Sequence, residues 1–359
     1  MSSLADPDVL ASPPSHSLPP IRTGLIGYGA AGATFHAPLI AVEPHLRLAR
    51  IASSRIGDIT RTFPAISIDA SPAALIESAE VDLVVIATPN ETHYPLALAA
   101  LKAGKHVVID KPFAVTVAEA QTLVEESEKR GLKLSVFHNR RWDGDFLTVA
   151  ELIQRNMLGS INYFESHFDR FRPAVKPGWR EQSRPGSGVF VDLGAHLIDQ
   201  ALQLFGLPEA VTADIAIQRE QAQVDDYFHV VLRYGRRRAV LHASTLAAAP
   251  GPRFTVHGSV GSLVITGLDG QEAALKAGKT PGGSGWGGST YTSTAVLTRS
   301  DEKENIDIAA GDYPCFYRRM AAAIAGEGDV PVAPRQALDV MRIIELAQRS
   351  ASEGRTIVL

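Results

Sequence analysis

The chain predicts an α/β protein: an N-terminal doubly wound parallel sheet, then an α+β domain whose sheet is mainly antiparallel. Three observations carry this expectation. From Ile21 to Phe137, short continuous apolar runs alternate with helical stretches, the pattern of strands buried on both faces of a parallel sheet. A glycine turn, Gly27-Tyr28-Gly29-Ala30-Ala31-Gly32, separates the first apolar run from the first helical stretch. Beyond about Arg140 the apolar runs follow one another with few helices between them, which points to antiparallel pairing.

Taken in order, strands are expected at 24–26, 48–52, 83–87, 107–109 and 134–137, with helices that include 94–103 and 116–130. Gly104 and Gly131 stop those two helices, because glycine accepts the left-handed conformation without a Cβ penalty. The second region reads as a helix at 146–154, a strand at 161–168, an Arg-, Pro- and Gly-rich loop at 170–188 and a helix at 191–205. Strands at 209–217, 227–234, 238–244, 254–257 and 263–266 follow, the second and third joined at Gly235 as a hairpin. Residues 267–305 are expected to hold a long surface loop, and helices at 314–325 and 335–352 close the chain. Domain boundaries are accordingly placed at 21–140 and 141–359, with the closing helices able to pack back on the first domain. Residues 1–20 contain five prolines and read as a flexible tail, since such a segment cannot bury enough apolar surface to offset its ordering entropy.

With 359 residues, 45% of them hydrophobic, and a net charge of −4, the chain lacks the basic excess that favours nucleic acid or anionic membrane. No apolar run reaches the ~18–20 residues that cross a bilayer. The N-terminus shows neither a basic start nor an apolar core segment, so a cytoplasmic location is expected. Cys315 is the only cysteine, which excludes an intramolecular disulfide and the thiolate zinc sites. No resident metal is expected.

Three motifs carry chemistry. In the glycine turn, Gly27 permits a tight bend, Gly29 lets backbone approach a pyrophosphate, and Gly32 allows close helix–strand packing. The helix from Ala30 then aims free N–H groups at the phosphates. At the end of the second strand an NAD site usually places a carboxylate. Here that place reads Ser53-Ser54-Arg55, with no acid until Asp58. Two hydroxyls and a guanidinium suit a 2′-phosphate, so NADP is favoured, with NAD possible if Arg55 is only a solvated loop residue. Thr88-Pro89-Asn90-Glu91-Thr92-His93 follows the third apolar run, where loops line the ligand crevice. Asn90 and His93 are expected to face the nicotinamide half, or Asn90 and Thr92 to cap the next helix.

Asp110-Lys111-Pro112 ends the fourth run and places an ammonium at the same crevice; the Lys–Pro bond is a candidate for the cis isomer. Asp192 and His196, four apart, would share a helix face at the cleft, with Asp199 one turn on.

Together these residues resemble the Gfo/Idh/MocA oxidoreductases, the glucose–fructose oxidoreductase and inositol dehydrogenase family, from about Ile21 to the C-terminus. The carriers are the glycine turn, Thr88-Pro89-Asn90 with His93, Asp110-Lys111-Pro112, Asn139-Arg140-Arg141, Gly178-Trp179-Arg180, and Asp192 with His196. The family's Glu-Lys-Pro is Asp-Lys-Pro here. Phe35-His36-Ala37-Pro38, residues 137–143 and residues 165–173 look like the branch of bacterial scyllo-inositol dehydrogenases. The resemblance implies a catalytic Lys111, Asp192 and His196, with Trp179 and Arg180 on the nicotinamide side and Asn139 near substrate. Arg140 would join Asn139, Asp192 and His196 in a polar substrate cleft.

The expected activity is NADP-linked interconversion of a cyclic polyol or sugar, above all scyllo-inositol and its inosose. His196 would accept the hydroxyl proton, Lys111 stabilise the oxygen, and Asp192 orient His196 or bind a hydroxyl. A dinucleotide-sensing regulator and an NAD-dependent glycosidase are the rival readings. The second domain, resembling the family's open-faced sheet, implies a homo-oligomer, a dimer or tetramer; an apolar open face would demand such cover.

Overall fold

A computed structural model describes residues 19–175, 178, 181–288 and 293–359. The expected tail therefore lies almost wholly outside the described residues. Strands β1 (Ile21–Ile26), β2 (Leu46–Ala52), β3 (Ser67–Asp69), β4 (Leu83–Ile86), β5 (His106–Ile109) and β6 (Leu134–Val136) form one sheet in the order β3-β2-β1-β4-β5-β6. Every pairing in it is parallel. The order reverses between β1 and β4, so the carboxyl ends of these two strands open the crevice typical of a Rossmann sheet.

Helices α1 (Ala37–Val42), α2 (Ile56–Thr62), α3 (Pro72–Glu77), α4 (His93–Lys102) and α5 (Val117–Arg130) join the strands. The bounds of α5 are set chemically. The Thr116 hydroxyl accepts from the Glu119 N–H, the Glu119 carboxylate accepts from the Thr116 N–H, and Gly131 ends the helix at φ 65°.

The second region contains α6 (Gly144–Gln154), β7 (Ile161–His167), α7 (Ala195–Phe205), β8 (Ala210–Ala216), β9 (Tyr227–Tyr234), β10 (Arg237–Ser244), β11 (Phe254–Gly258) and β12 (Ser262–Thr266). Then come α8 (Gln271–Lys276), β13 (Thr294–Arg299), β14 (Glu302–Ile306), α9 (Pro314–Ala325), α10 (Pro334–Glu353) and β15 (Ile357–Val358). Its strands form a nine-stranded sheet, β14-β13-β12-β11-β7-β10-β9-β8-β15. Only β7 and β10 pair in parallel; the β8–β9, β9–β10, β11–β12, β11–β7, β12–β13, β13–β14 and β15–β8 ladders are antiparallel.

Burial along its central strands has period two. Phe164, Phe228, Val230, Leu241, Ala243 and Phe254 are buried, while Glu165, His167, His229 and His242 between them are only partly covered. One face is packed and the other is open.

One expectation changes. Residues 267–305 are not one loop, since they contain α8, β13 and most of β14. Glu302-Lys303-Glu304 gives β14 no apolar alternation, yet it pairs with β13 as a charged edge strand. The short β3 escaped detection because Ser67-Ile68-Asp69 offers one apolar residue, which gains its place only by pairing with Ile51. At the chain's end, α10 packs against α5 and β6 of the first sheet layer and against α7 and β8 of the second. The buried Ser135 hydroxyl on β6 bonds both the carbonyl (2.9 Å) and the N–H (3.2 Å) of Val332, just ahead of α10.

Candidate active site

The glycine turn leaves β1 at Gly27, whose φ is +95°. A Cβ on Gly27 would collide with the Ala87 carbonyl, and one on Gly32 with the Gly27 carbonyl. At Gly29 a Cβ would meet nothing within 4 Å. The turn is thus closed on its protein side and open where a pyrophosphate would approach. Helical structure begins at Ala30, passes through a π-type turn over Gly32–His36 and continues as α1. Tyr28 is buried, Ala30 exposed and Ala31 half-buried.

At the end of β2, Ser53 is half-exposed, and Ser54 and Arg55 are exposed. The Arg55 N–H reaches the Ser53 hydroxyl at 3.3 Å. Asp58, the nearest following acid, lies 3.4 Å from Arg61 instead. Arg55 has no ion pair among the described residues. An open glycine cradle that leads into a helix start fits a dinucleotide pyrophosphate.

Lys111 follows β5, and its bond to Pro112 is cis. Its ammonium donates to the Asp192 carboxylate at 2.5 Å and to the Asp192 backbone carbonyl at 2.8 Å. The ammonium end is largely enclosed, and the carboxylate is about one-third exposed. Asp192 lies in a π-type turn, Phe190–Gly194, that leads into α7. The regular four-residue spacing expected between Asp192 and His196 is therefore interrupted.

His196 is buried, and its Nδ1 has no hydrogen-bond partner among the described residues. Burial first, then the charges of Lys111 and Arg140, holds its pKa well below 6.5, so the imidazole is neutral near pH 7. A second imidazole, His138, stands 6.4 Å away edge-on and is pushed down to about 4 by burial.

Other expected site residues serve the frame. Asn90 neither caps α4 nor stands free: its amide donates to the Gly186 carbonyl at 2.8 Å, tying the β4 loop to the loop before Asp192. Thr92 bonds the Thr88 hydroxyl (2.6 Å) and the Pro89 carbonyl (2.7 Å), and does not cap α4 either. His93 does not face the crevice. It is 1% exposed, with its two ring nitrogens against the carbonyls of Pro112 (2.8 Å) and Thr88 (3.0 Å).

The Asp110 carboxylate accepts the Lys111 N–H at 2.8 Å. Burial would raise its pKa, but His36, Lys111 and His93 outweigh that and hold it low. The Arg140 guanidinium, expected in the substrate cleft, is engaged by Glu272 (2.5 Å) and Asp143 (3.2 Å). Asp199 is likewise taken, by Arg141 at 2.6 and 2.9 Å. Asn139 is buried at the start of a turn, Asn139–Trp142. Trp179 and Arg180 lie outside the described residues.

Sequence reasoning missed the layer behind these groups. The Tyr313 hydroxyl donates to Asp143 at 2.6 Å, and Asp143 is pushed up to about 8 by burial despite Arg140. His36 bonds Tyr317 at 2.6 Å and lies 3.9 Å from Asp110. His138 adjoins the flagged Asn139, which was the available signal. Tyr313 and Tyr317, far along the chain, carried none.

Comparison with known proteins gives a consistent result. A family model described as "Oxidoreductase family, NAD-binding Rossmann fold" matches residues 21–138, and one described as "Oxidoreductase family, C-terminal alpha/beta domain" matches 150–359. The uncharacterized oxidoreductase YdgJ of Escherichia coli is 49% identical over 94% of this chain and 99% of its own length. The scyllo-inositol 2-dehydrogenase (NADP(+)) IolW of Bacillus subtilis is 40% identical over 94% of this chain and 96% of its own. The solved structure of the putative oxidoreductase yvaA of Bacillus subtilis superposes with a TM-score of 0.92 at 38% identity, covering 96% of this chain and 99% of that one.

Proposed function

Because the chain belongs to the Gfo/Idh/MocA family of nicotinamide-binding oxidoreductases, we propose that it uses NADP to oxidise a ring hydroxyl of a cyclic polyol, with scyllo-inositol and its inosose the favoured pair. The observation that carries this reading is the group at the crevice. A lysine ammonium is pinned by Asp192, and its charge acts on His196, a neutral imidazole with a buried nitrogen that has no hydrogen-bond partner among the described residues.

His196 takes the hydroxyl proton as general base. Lys111 stabilises the oxygen as negative charge gathers on it. Asp192 holds the ammonium in position and offers an acceptor to a neighbouring hydroxyl. When bound, the nicotinamide supplies the two-electron acceptor for the reaction. Gly27, Tyr28, Gly29, Ala30, Ala31 and Gly32 cradle the pyrophosphate, and Ser53, Ser54 and Arg55 take the 2′-phosphate. Thr88, Pro89 and Asp110 border the nicotinamide side, with Asn90 and His93 supporting them from behind. Asn139 lies toward the substrate. NADP is favoured by the absence of a carboxylate at 53–55 and by the relative whose name carries that cofactor.

The test is a substrate screen of inositols, inososes, aldoses and cyclohexanol with each cofactor, read by nicotinamide absorbance. The expected outcome is NADP consumed in proportion to a cyclic polyol oxidised, with little turnover of cyclohexanol, because unpaired polar groups in the cleft reject it. Tenfold better efficiency with NAD overturns the cofactor assignment. Equal efficiency on cyclohexanol overturns the polyol assignment.

A further inference from the structure

The open face of the nine-stranded sheet carries a cluster with no part in this chemistry. His167 ends β7, His242 lies directly across from it on β10, and Asp169 follows two residues after β7. One ligand atom from each of the three lies within 4.8 Å of the others, the only such group of His, Cys, Asp and Glu among the described residues.

The contacts within the cluster are specific. His167 Nδ1 is 3.1 Å from Asp169 Oδ2, and His242 Nε2 is 3.4 Å from Asp169 Oδ1. On its far side, His167 Nε2 bonds the Glu165 carboxylate at 2.7 Å. Burial lowers the His167 pKa, but its hydrogen bonds to Asp169 and Glu165 outweigh that and push it up to about 9, so in the metal-free chain a proton supplies the positive charge between the imidazole and its carboxylates. A dication would take that place by releasing the proton, with Asp169 and the two imidazoles as its ligands.

Asp169 is held for such a role. Its oxygens accept the N–H of Ser244 (3.1 Å) and of Gly251 (3.4 Å), and its side chain is only 5% exposed. Ordered carboxylates and a carboxylate behind a histidine are what metal sites use to orient their ligands.

We propose that His167, Asp169 and His242 bind a divalent metal ion of the zinc class, clamping β7 to β10. Two imidazoles and one carboxylate are the N/O ligand set zinc accepts, with water in the fourth position. The single charge of Asp169 and that of Glu165 behind it balance a dication. A site built from imidazole and carboxylate needs no cysteine. The clamp joins two strands paired in parallel, far apart in the chain, so the bound ion stabilises the folded sheet and not the unfolded chain.

The experiment uses tag-free, chelator-treated protein titrated with Zn²⁺ by calorimetry, and with Co²⁺ by visible absorption. One equivalent per chain should bind with a dissociation constant in the micromolar range or below, and cobalt should give the intense bands of a tetrahedral site. Saturating Zn²⁺ should raise Tm by several degrees. His242→Gln and Asp169→Asn should each weaken binding at least tenfold. Glu165→Gln should weaken it by about ten- to a hundredfold while stoichiometry stays at one.

Circular dichroism of each variant in chelator confirms that it is folded, and His167→Gln provides a further variant should one fail. If the parent takes up less than a molar equivalent, or if His242→Gln and His167→Gln bind as the parent does, the cluster is a proton-bridged ion pair and the proposal is wrong.

Discussion

Lys111 and His196 divide the proposed chemistry by charge, and the division can be tested one residue at a time. Removing the imidazole by His196→Ala should lower the rate by about 10²–10⁴, the usual share of a positioned acid–base group, while NADP affinity changes less than twofold. Lys111→Met should cost at least as much, since it removes the ammonium that stabilises the oxygen and breaks its pair with Asp192. Normal turnover in either variant removes that residue from the mechanism. At the adenosine end, Arg55→Ala should weaken NADP by about 1.5–3 kcal/mol and leave NAD binding unchanged; fluorescence titration with each cofactor reads the difference.

The paired imidazoles behind the crevice predict a pH effect of defined sign. His138 has its pKa held at about 4 by burial, against ~6.5 in an unfolded chain. Between those values the unfolded state binds the proton and the folded state does not, so stability falls as pH falls through 6.5 toward 4. The contribution of this one group reaches the order of 3 kcal/mol. Urea unfolding of His138→Gln should therefore lose less stability than the parent between pH 6.5 and 5. Equal slopes would mean that His138 is solvated.

At the scale of elements, the glycine turn separates structural from functional demand within three positions. A Cβ at Gly32 would overlap the Gly27 carbonyl, whereas at Gly29 it would project into open space. Gly32→Ala should destabilise the protein by about 1–3 kcal/mol, the range for overpacking. Gly29→Ala should leave Tm nearly unaltered and weaken NADP at least tenfold, because the methyl group occupies the pyrophosphate's place. A Gly29→Ala protein that binds cofactor normally would show that the turn is not the cradle. The loop tie made by Asn90 works at this scale too. Its bond to the Gly186 carbonyl joins the β4 loop to the approach of α7, so Asn90 fixes the two loops relative to one another.

Across the whole molecule, α10 is the joint. It packs on both sheet layers, with Ser135 bonded to Val332 beneath it. The two sheets should therefore unfold together, and calorimetry should record a single transition; two resolved transitions would show that the joint is weak. The open sheet face is mixed in character. Glu165, His167, Tyr227, His229, His242 and His257 lie on it with Val231, Val240, Val264 and Val296. A dimer or tetramer formed on it, tested by light scattering, would bury both kinds of side chain and should show salt dependence to match.

The sequence by itself was enough for five of the six strands of the first sheet in chain order, the glycine turn and the motifs that follow the strand ends. Each of these is local: a run of apolar residues, a stop glycine, or a motif within six positions. What only the tertiary structure decided are the partners. Arg140 meets Glu272, Arg141 meets Asp199, Tyr317 meets His36, and His167 meets His242. These pairs lie 58 to 281 positions apart along the chain or on neighbouring strands, and no periodicity encodes them. The resemblance placed Arg140 in the substrate cleft, and helical spacing set Asp199 one turn beyond His196. In the fold both are buried and each meets a counter-charge, because a charge taken out of water must find one inside the protein.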